Sequence, residues 1–120
     1  MDLRIASTIA RMQQELEEPL SIDALAHAMN LSASQFTHLF TRETGLSPAQ
    51  YLHVLRLQRA RALLERTFLP VKHVMARVGI NDSRRFARDF RRYHGVSPTG
   101  LRKSSWATPQ VRSAWQDRPM

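Results

Sequence analysis

A cluster of arginines stands at helical spacing between residues 84 and 92. Arg84, Arg88 and Arg91 follow one another at i, i+4 and i+7, so a helix would carry them on one face. In the major groove of a nucleic-acid duplex, such an arginine can donate two hydrogen bonds to guanine O6 and N7, worth about 1–3 kcal/mol of discrimination each. Arg85 and Arg92 flank the same face. The cluster therefore indicates contact with nucleic acid, with a solvated, charged helix face as the alternative.

A neutral polar face occupies the corresponding place fifty residues earlier. Phe36, Leu39 and Phe40 stand at i, i+3 and i+4 and are expected to face inward. The residues turned outward by this arrangement are Ser34, Thr37, His38 and Thr41. Gln35 can pair with adenine, and Thr37 can touch a thymine methyl group. The neutral face and the arginine face should therefore read different bases.

Short helices and turns frame both faces. Residues 20–40 form the pattern of a helix, a turn at Asn30 and a second helix, which Ser32 caps with Gln35 as its capping-box partner. The same pattern returns at 71–90, first with an offset of 49 and then of 50, and Gly-X-Ser-Pro follows it both times. A repeat with turns, caps and core positions in register indicates a duplicated helix-turn-helix unit.

These elements predict an all-α fold, with two helix-turn-helix subdomains joined by a long connector helix and about seven helices in total. We assign residues 1–68 to the first subdomain with its connector, 69–103 to the second, and 104–120 to a poorly ordered tail. A first helix is expected over residues 2–18, and the connector from Pro48 to about Thr67. The two exposed helices, over about 33–44 and 83–94, are the predicted recognition helices.

Composition narrows the possible functions. The net charge is +8, and its distribution is uneven: residues 1–50 hold three basic and six acidic side chains, whereas residues 51–120 hold fifteen and four. Cysteine is absent, and the five histidines show no paired metal-ligand spacing. No nucleophile, cofactor or membrane-span pattern appears. We therefore expect a cytoplasmic protein that is not an enzyme and holds neither metal nor cofactor.

Other polar residues could hold the phosphate backbone of a duplex. Arg42 and Arg92 end the two recognition helices, while Ser47 and Ser97 begin the helices that follow them. Arginine side chains and helix N-termini are typical phosphate contacts. The predicted set of phosphate contacts is Arg42, Ser47, Arg59, Arg91, Arg92 and Ser97. For Arg59, packing against the core is the alternative.

Three motifs resemble the DNA-binding domain of the AraC/XylS transcriptional regulators. They are L-S-x-S-x-F at 31–36, L-x-x-A-R-x-L-L at 57–64 and F-x-x-x-F-R-R-x-x-G-V-S-P at 86–98. The resemblance implies that both recognition helices enter successive major grooves on one face of bent DNA. The base readers it implies are Ser34, Gln35, Thr37, His38, Ser83, Arg84, Arg85 and Arg88. Asp89 departs from the pattern, because Leu39 matches it in the first unit, and it is expected to pair with a neighbouring arginine.

The function that we infer from these patterns is sequence-specific regulation of transcription through double-stranded DNA. Two unlike recognition helices predict a non-palindromic site with its halves about 10 bp apart. RNA polymerase is the expected protein partner, and a separate sensor or dimerisation domain could belong to the same regulator. The alternative is a helical module that docks a transcription partner without reading bases. Such a module would show little of the salt dependence that phosphate contacts cause.

Overall fold

The structure is a computed structural model that describes residues 1–107. This part of the chain holds seven helices and no strand, which confirms the predicted all-α fold. The helices are α1 (Leu3–Gln14), α2 (Ile22–Ala28), α3 (Ala33–Thr44), α4 (Pro48–Arg66), α5 (Val71–Val78), α6 (Ser83–His94) and α7 (Pro98–Ala107). Residues 104–107, assigned from the sequence to an irregular tail, continue α7 instead, and the remaining tail residues lie outside the described part.

The chain divides into two compact units, one of residues 1–56 and one that starts at Leu57. The division falls inside α4, whereas the sequence patterns placed the whole connector with the first subdomain. The reason lies in the contacts of adjacent residues. Arg56 donates to the carbonyl of Leu16 in the first unit, and the Leu57 carbonyl bonds the His94 ring in the second. Each unit holds one helix-turn-helix, α2 with α3 and α5 with α6.

The turn between the paired helices has the same construction in both units. Asn30 has φ +57° and Gly79 has φ +78°, the left-handed conformation that lets a helix stop and the chain reverse. The next residue then donates its amide back to the helix it has just left. Leu31 N bonds Ala26 O and Ile80 N bonds Met75 O, both at 3.0 Å. The turn predicted at Asn30 and its repeat are therefore confirmed.

A pair of phenylalanines forms the centre of each unit. The rings of Phe36 and Phe40 lie 5.8 Å apart and tilted by 53°, and those of Phe86 and Phe90 lie 5.5 Å apart and tilted by 51°. All four are at most 1% exposed. Tilted aromatic pairs at this distance add to the stabilisation from burial. The apolar faces of α3 and α6 are thus fixed inward, which leaves their opposite faces for solvent.

The first helix is shorter than the sequence predicts. Its pattern suggested residues 2–18, but α1 ends at Gln14 and Glu15 is its C-cap. Leu16 is 6% exposed, so it still reaches the core that the helical spacing indicated. The carbonyls of Leu16 and Glu18 instead accept hydrogen bonds from the Arg56 guanidinium at 2.9 and 2.8 Å. These two carbonyls would have had no internal partner in the predicted helix either, because they belong to its last four residues.

Candidate nucleic-acid interface

The outer surface of α3 is polar and presents hydroxyl groups and one imidazole. We call Ser34, Thr37, His38 and Thr41 the α3 ridge. Ser34, His38 and Thr41 are exposed and Thr37 is half-buried. With Ala33 they line one shallow surface depression. The helix presents this surface because Phe36, Leu39 and Phe40 take its inner face. The ridge offers hydroxyl and imidazole groups at the surface, as its spacing predicted.

Gln35 lies beside the α3 ridge but is already engaged. The Ser32 hydroxyl accepts from the Gln35 amide at 3.1 Å, and Gln35 Oε1 accepts from the Ser32 amide at 2.9 Å. This is the predicted capping box. A bidentate contact with adenine needs that same oxygen together with the Gln35 side-chain NH₂ group. Reading by Gln35 would therefore require the cap to open.

The outer surface of α6 is strongly cationic. We call Arg84, Ala87, Arg88 and Arg91 the α6 ridge, and all four residues are exposed. Ser83, Arg85 and Arg92 beside the ridge are exposed as well. Asp82 caps the helix, because its carboxylate accepts from the Arg85 amide at 3.0 Å. The structure thus brings all the predicted residues of this helix to the surface of one element.

One carboxylate interrupts the positive charge of α6. Asp89 Oδ1 accepts from Arg88 Nε at 3.3 Å, and Asp89 Oδ2 lies 3.5 Å from Arg85 Nε. The carboxylate side chain is 20% exposed, whereas the side chains of Arg85 and Arg88 are 63% and 72% exposed. The pairing expected for Asp89 is confirmed, and it involves two arginines at once.

The arginines among the predicted phosphate contacts lie at the surface of α3, α4 and α6. Arg42 and Arg92 lie in the last turns of α3 and α6, and both are exposed. Arg59 is exposed on α4. A cation near a helix C-terminus also interacts favourably with the helix dipole.

Ser47 and Ser97 have the same position in their units but different partners. Ser47 Oγ accepts from the Gln50 amide at 3.2 Å, and Gln50 Oε1 accepts from the Ser47 amide at 3.0 Å. Ser97 Oγ accepts from the Gly100 amide at 3.0 Å. A β-carbon at Gly100 would lie 2.9 Å from that oxygen, so a larger residue there would make the Ser97 side chain shift. Both serines cap their helices, as the Ser-Pro motifs predict.

Two supporting arginines were missed from the sequence. Arg56 of α4 holds the end of α1, as described above. In the second unit, Arg102 of α7 donates to the carbonyls of Leu64 and Thr67, at 3.3 Å each, and to that of Leu69. Burial lowers the pKa of both guanidinium groups from the ordinary value. Each arginine joins the helix after a helix-turn-helix to the segment before it, and no local sequence pattern indicates such distant carbonyl partners.

Among residues 1–107, no group of histidine and acidic side chains is arranged to hold a metal ion. None of the helices in that range has the length and apolar composition required to cross a membrane.

Comparison with known proteins places this geometry in a family. A family model described as "Helix-turn-helix domain" matches residues 25–104. A transcriptional regulator with an AraC-type DNA-binding domain, from Chromobacterium violaceum, has a similar structure, with TM-score 0.80, 29% identity, and coverage of 89% of this chain and 95% of that one. The chain belongs to the AraC-type helix-turn-helix family. The predicted family resemblance is thereby confirmed.

Further AraC-type relatives and structures agree with this. The transcriptional regulator GbdR of Pseudomonas aeruginosa is 34% identical over 100 residues, which cover 83% of this chain and 27% of GbdR. The transcriptional activator RhaS of Escherichia fergusonii is 35% identical over 109 residues, or 91% of this chain and 39% of RhaS. The DNA-binding domain of AdpA, solved with a target DNA, gives TM-score 0.82 at 29% identity, with 89% and 96% coverage.

The chain spans between about a quarter and two fifths of the length of these curated relatives. It covers 95% of the solved Chromobacterium violaceum chain and 96% of the solved AdpA domain. AraC-type membership assigns a helix-turn-helix DNA-binding domain to this chain, and relatives that it matches are named as regulators of transcription.

Proposed function

We propose that the chain binds double-stranded DNA in a sequence-specific manner, with α3 and α6 in successive major grooves. The observation that carries the proposal is the exposed α6 ridge, an arginine face on the second helix of a helix-turn-helix. The AdpA domain, which shares the fold, was solved with a target DNA, and this supports the same ligand class here. Net charge of +8 adds long-range attraction to a polyanion.

The base readers that we propose differ between the helices. On α3 they are Ser34, Thr37 and His38, while Gln35 reads a base only after leaving its cap. On α6 they are Ser83, Arg84, Arg85 and Arg88, which are all exposed. Hydroxyl groups suit several base edges, whereas an arginine favours guanine. The half-site read by α6 should therefore contain guanine.

The phosphate contacts that we propose surround these helices. They are Arg42, Ser47, Arg59, Arg91, Arg92 and Ser97. The Ser47 and Ser97 hydroxyls accept from the Gln50 and Gly100 amides, which leaves their own hydrogens to donate to phosphate. Phosphate contacts fix the position of the protein on the duplex and make the affinity depend on salt.

Selection of bound duplexes from a random DNA pool, at a stated salt concentration, tests the proposal. We expect enrichment of a non-palindromic site with two halves about 10 bp apart. Arg88→Ala should then cost about 1–3 kcal/mol of binding free energy on the selected duplex and relax the preference at one base pair. Arg77→Ala removes the same charge from an exposed position of α5 and should leave every base preference unchanged.

Two results would contradict this proposal. If Arg88→Ala weakened binding equally for all sequences, Arg88 would be a phosphate contact and not a reader. If no sequence were enriched and the affinity hardly changed with salt, a protein-docking module would be the better explanation.

We also propose the setting in which the chain acts. Because the proposed ligand is DNA and the relatives of this chain are bacterial, we propose that the chain acts in the cytoplasm. We also propose that it has no enzymatic activity. RhaS is named a transcriptional activator, which supports RNA polymerase as a protein partner. Retention of purified polymerase on the selected duplex only when this chain is bound would test that partnership.

A further inference from the structure

We propose that Asp89 is a specificity-determining positioning residue, which holds Arg85 and Arg88 so that they read guanine and do not contact phosphate. This inference rests on the proposed function of α6 in the major groove. It assigns to a residue that touches no base a part in the choice of sequence.

Asp89 engages both arginines through the same kind of atom, the guanidinium Nε. Arg88 donates through Nε at 3.3 Å, and the nearest approach of Arg85 to the carboxylate, at 3.5 Å, is also through Nε. A guanidinium has five N–H groups, so engagement of Nε leaves the four on its two terminal nitrogens. Those two nitrogens can still donate side by side to guanine O6 and N7. The carboxylate therefore holds both arginines by the edge that guanine does not need.

Asp89 places a carboxylate at a position where the first unit has a buried apolar residue. Its counterpart Leu39 is a core residue of α3 and is 9% exposed, so the register of the repeat calls for an apolar side chain. A carboxylate on a helix next to DNA also repels the phosphates. An exposed ion pair adds little stability by itself. A compensating benefit arises if Asp89 restricts two flexible side chains before binding, because less rotamer freedom is then lost in the complex.

An arginine without this restraint has another ligand within reach on DNA. Phosphate accepts the same bidentate donation as guanine, and it is present at every sequence. Release of Arg85 and Arg88 should therefore increase binding to any duplex and decrease the advantage of the correct one.

The test compares two identical chemical changes in the full 120-residue chain. Asp89→Asn removes the carboxylate charge but keeps the shape of the side chain. Asp82→Asn makes the same change seven residues earlier, where the oxygen that caps the Arg85 amide is retained. Both variants gain one positive charge relative to the parent, so the difference between them reports the contact and not the charge. The probes are the duplex selected by the parent chain and a shuffled duplex of the same composition.

We expect Asp89→Asn to lower the ratio of specific to non-specific affinity by about three- to tenfold, a fraction of the discrimination that two arginine–guanine pairs provide. Asp82→Asn should change that ratio by less than about twofold, since charge alone acts on both duplexes. The guanine preference should weaken in a new selection with Asp89→Asn, and the log–log salt slope should steepen by about 0.9 for each new phosphate contact.

A double-mutant cycle completes the test. In a chain that carries Arg85→Lys and Arg88→Lys, Asp89→Asn should have no further effect on the specificity ratio, because its partners can no longer form a guanidinium fork. An unchanged ratio in the parent background, or an equal loss in the double-lysine background, would overturn the inference. Asp89→Leu, which restores the residue type found in α3, should repeat the specificity loss with an intact helical circular dichroism spectrum. If the parent enriches no sequence at all, the proposed function fails first, and this inference with it.

Discussion

The two units have the same frame but carry different chemistry. Each turn has one residue in the left-handed conformation and one 3.0 Å amide bond, and the phenylalanine pairs differ by only 0.3 Å and 2°. On the outer side, the α3 ridge carries hydroxyl and imidazole groups where the α6 ridge carries three arginines. The difference teaches that the fold depends on turn and core positions, which leaves the exposed positions of each helix free to change.

The contacts that hold the ends of α3 and α6 also differ. The Thr44 hydroxyl donates to the Phe40 carbonyl at 2.9 Å and accepts from the Leu46 amide at 3.2 Å, so the end of α3 is held locally. The equivalent residue His94 lies 2.9 Å from the Leu57 carbonyl of α4 through Nε2, and packs on Phe90. Nε2 therefore carries the hydrogen in this contact, because a carbonyl can only accept. The end of α6 is thus joined to another helix instead of to its own turn.

The largest effect should come from the cores, where the units are most alike. Phe40→Ala and Phe90→Ala are each expected to lower the free energy of unfolding by about 3–5 kcal/mol, because a buried ring is replaced by a cavity. Chemical denaturation measures the total loss in the free energy of unfolding. Native-state hydrogen exchange then shows whether the loss lies in α2 and α3 or in α5 and α6. Leu3→Ala, at a position 85% exposed, should cost less than about 0.5 kcal/mol. A cost below about 1 kcal/mol for either phenylalanine would show that the units are not equivalent.

A smaller effect should distinguish the two supporting arginines. Arg102→Met and Arg56→Met keep much of the stem but remove three and two carbonyl contacts, so we expect losses of about 1–2 kcal/mol, with Arg102→Met the larger. Hydrogen exchange should detect each loss in the unit that holds the arginine. Arg77→Met, on the exposed surface of α5, is the control. Equal effects for all three variants would mean that the carbonyl contacts contribute nothing beyond a surface charge.

Local chemistry explains why so much of the fold was predictable. Ser32 and Gln35 form the predicted capping box, and Asp82 caps α6, because a cap is decided within four residues. Asn30 and Gly79 likewise mark their turns by their own conformational tolerance. Because the unit is repeated, the elements predicted for the first unit also predict those of the second. The predicted base and phosphate contacts remain proposals, although the structure leaves most of these side chains exposed.

Long-range contacts explain what the sequence did not reveal. Arg56 has carbonyl partners 38 and 40 residues away, which no local pattern of residues indicates. These contacts lie just beyond Glu15, the C-cap of α1. Gln35 illustrates a different difficulty, since its residue type suits both a cap and adenine, and only the structure assigns its oxygen to the cap. Residue types show what a side chain can do, while tertiary contacts decide what it does.

Methylation interference on the selected duplex tests the central claim most directly, that each unit reads DNA through its own ridge. Methylation of guanine N7 blocks the major groove, and we expect interference at guanines in the half bound by α6. Hydroxyl-radical protection should cover two segments centred about 10 bp apart. Arg84→Ala with Arg88→Ala should abolish the guanine interference and leave the segment bound by α3 protected, while Thr37→Ala with His38→Ala should weaken only that other segment. A single protected segment, or the loss of both segments together in either variant, would contradict the account.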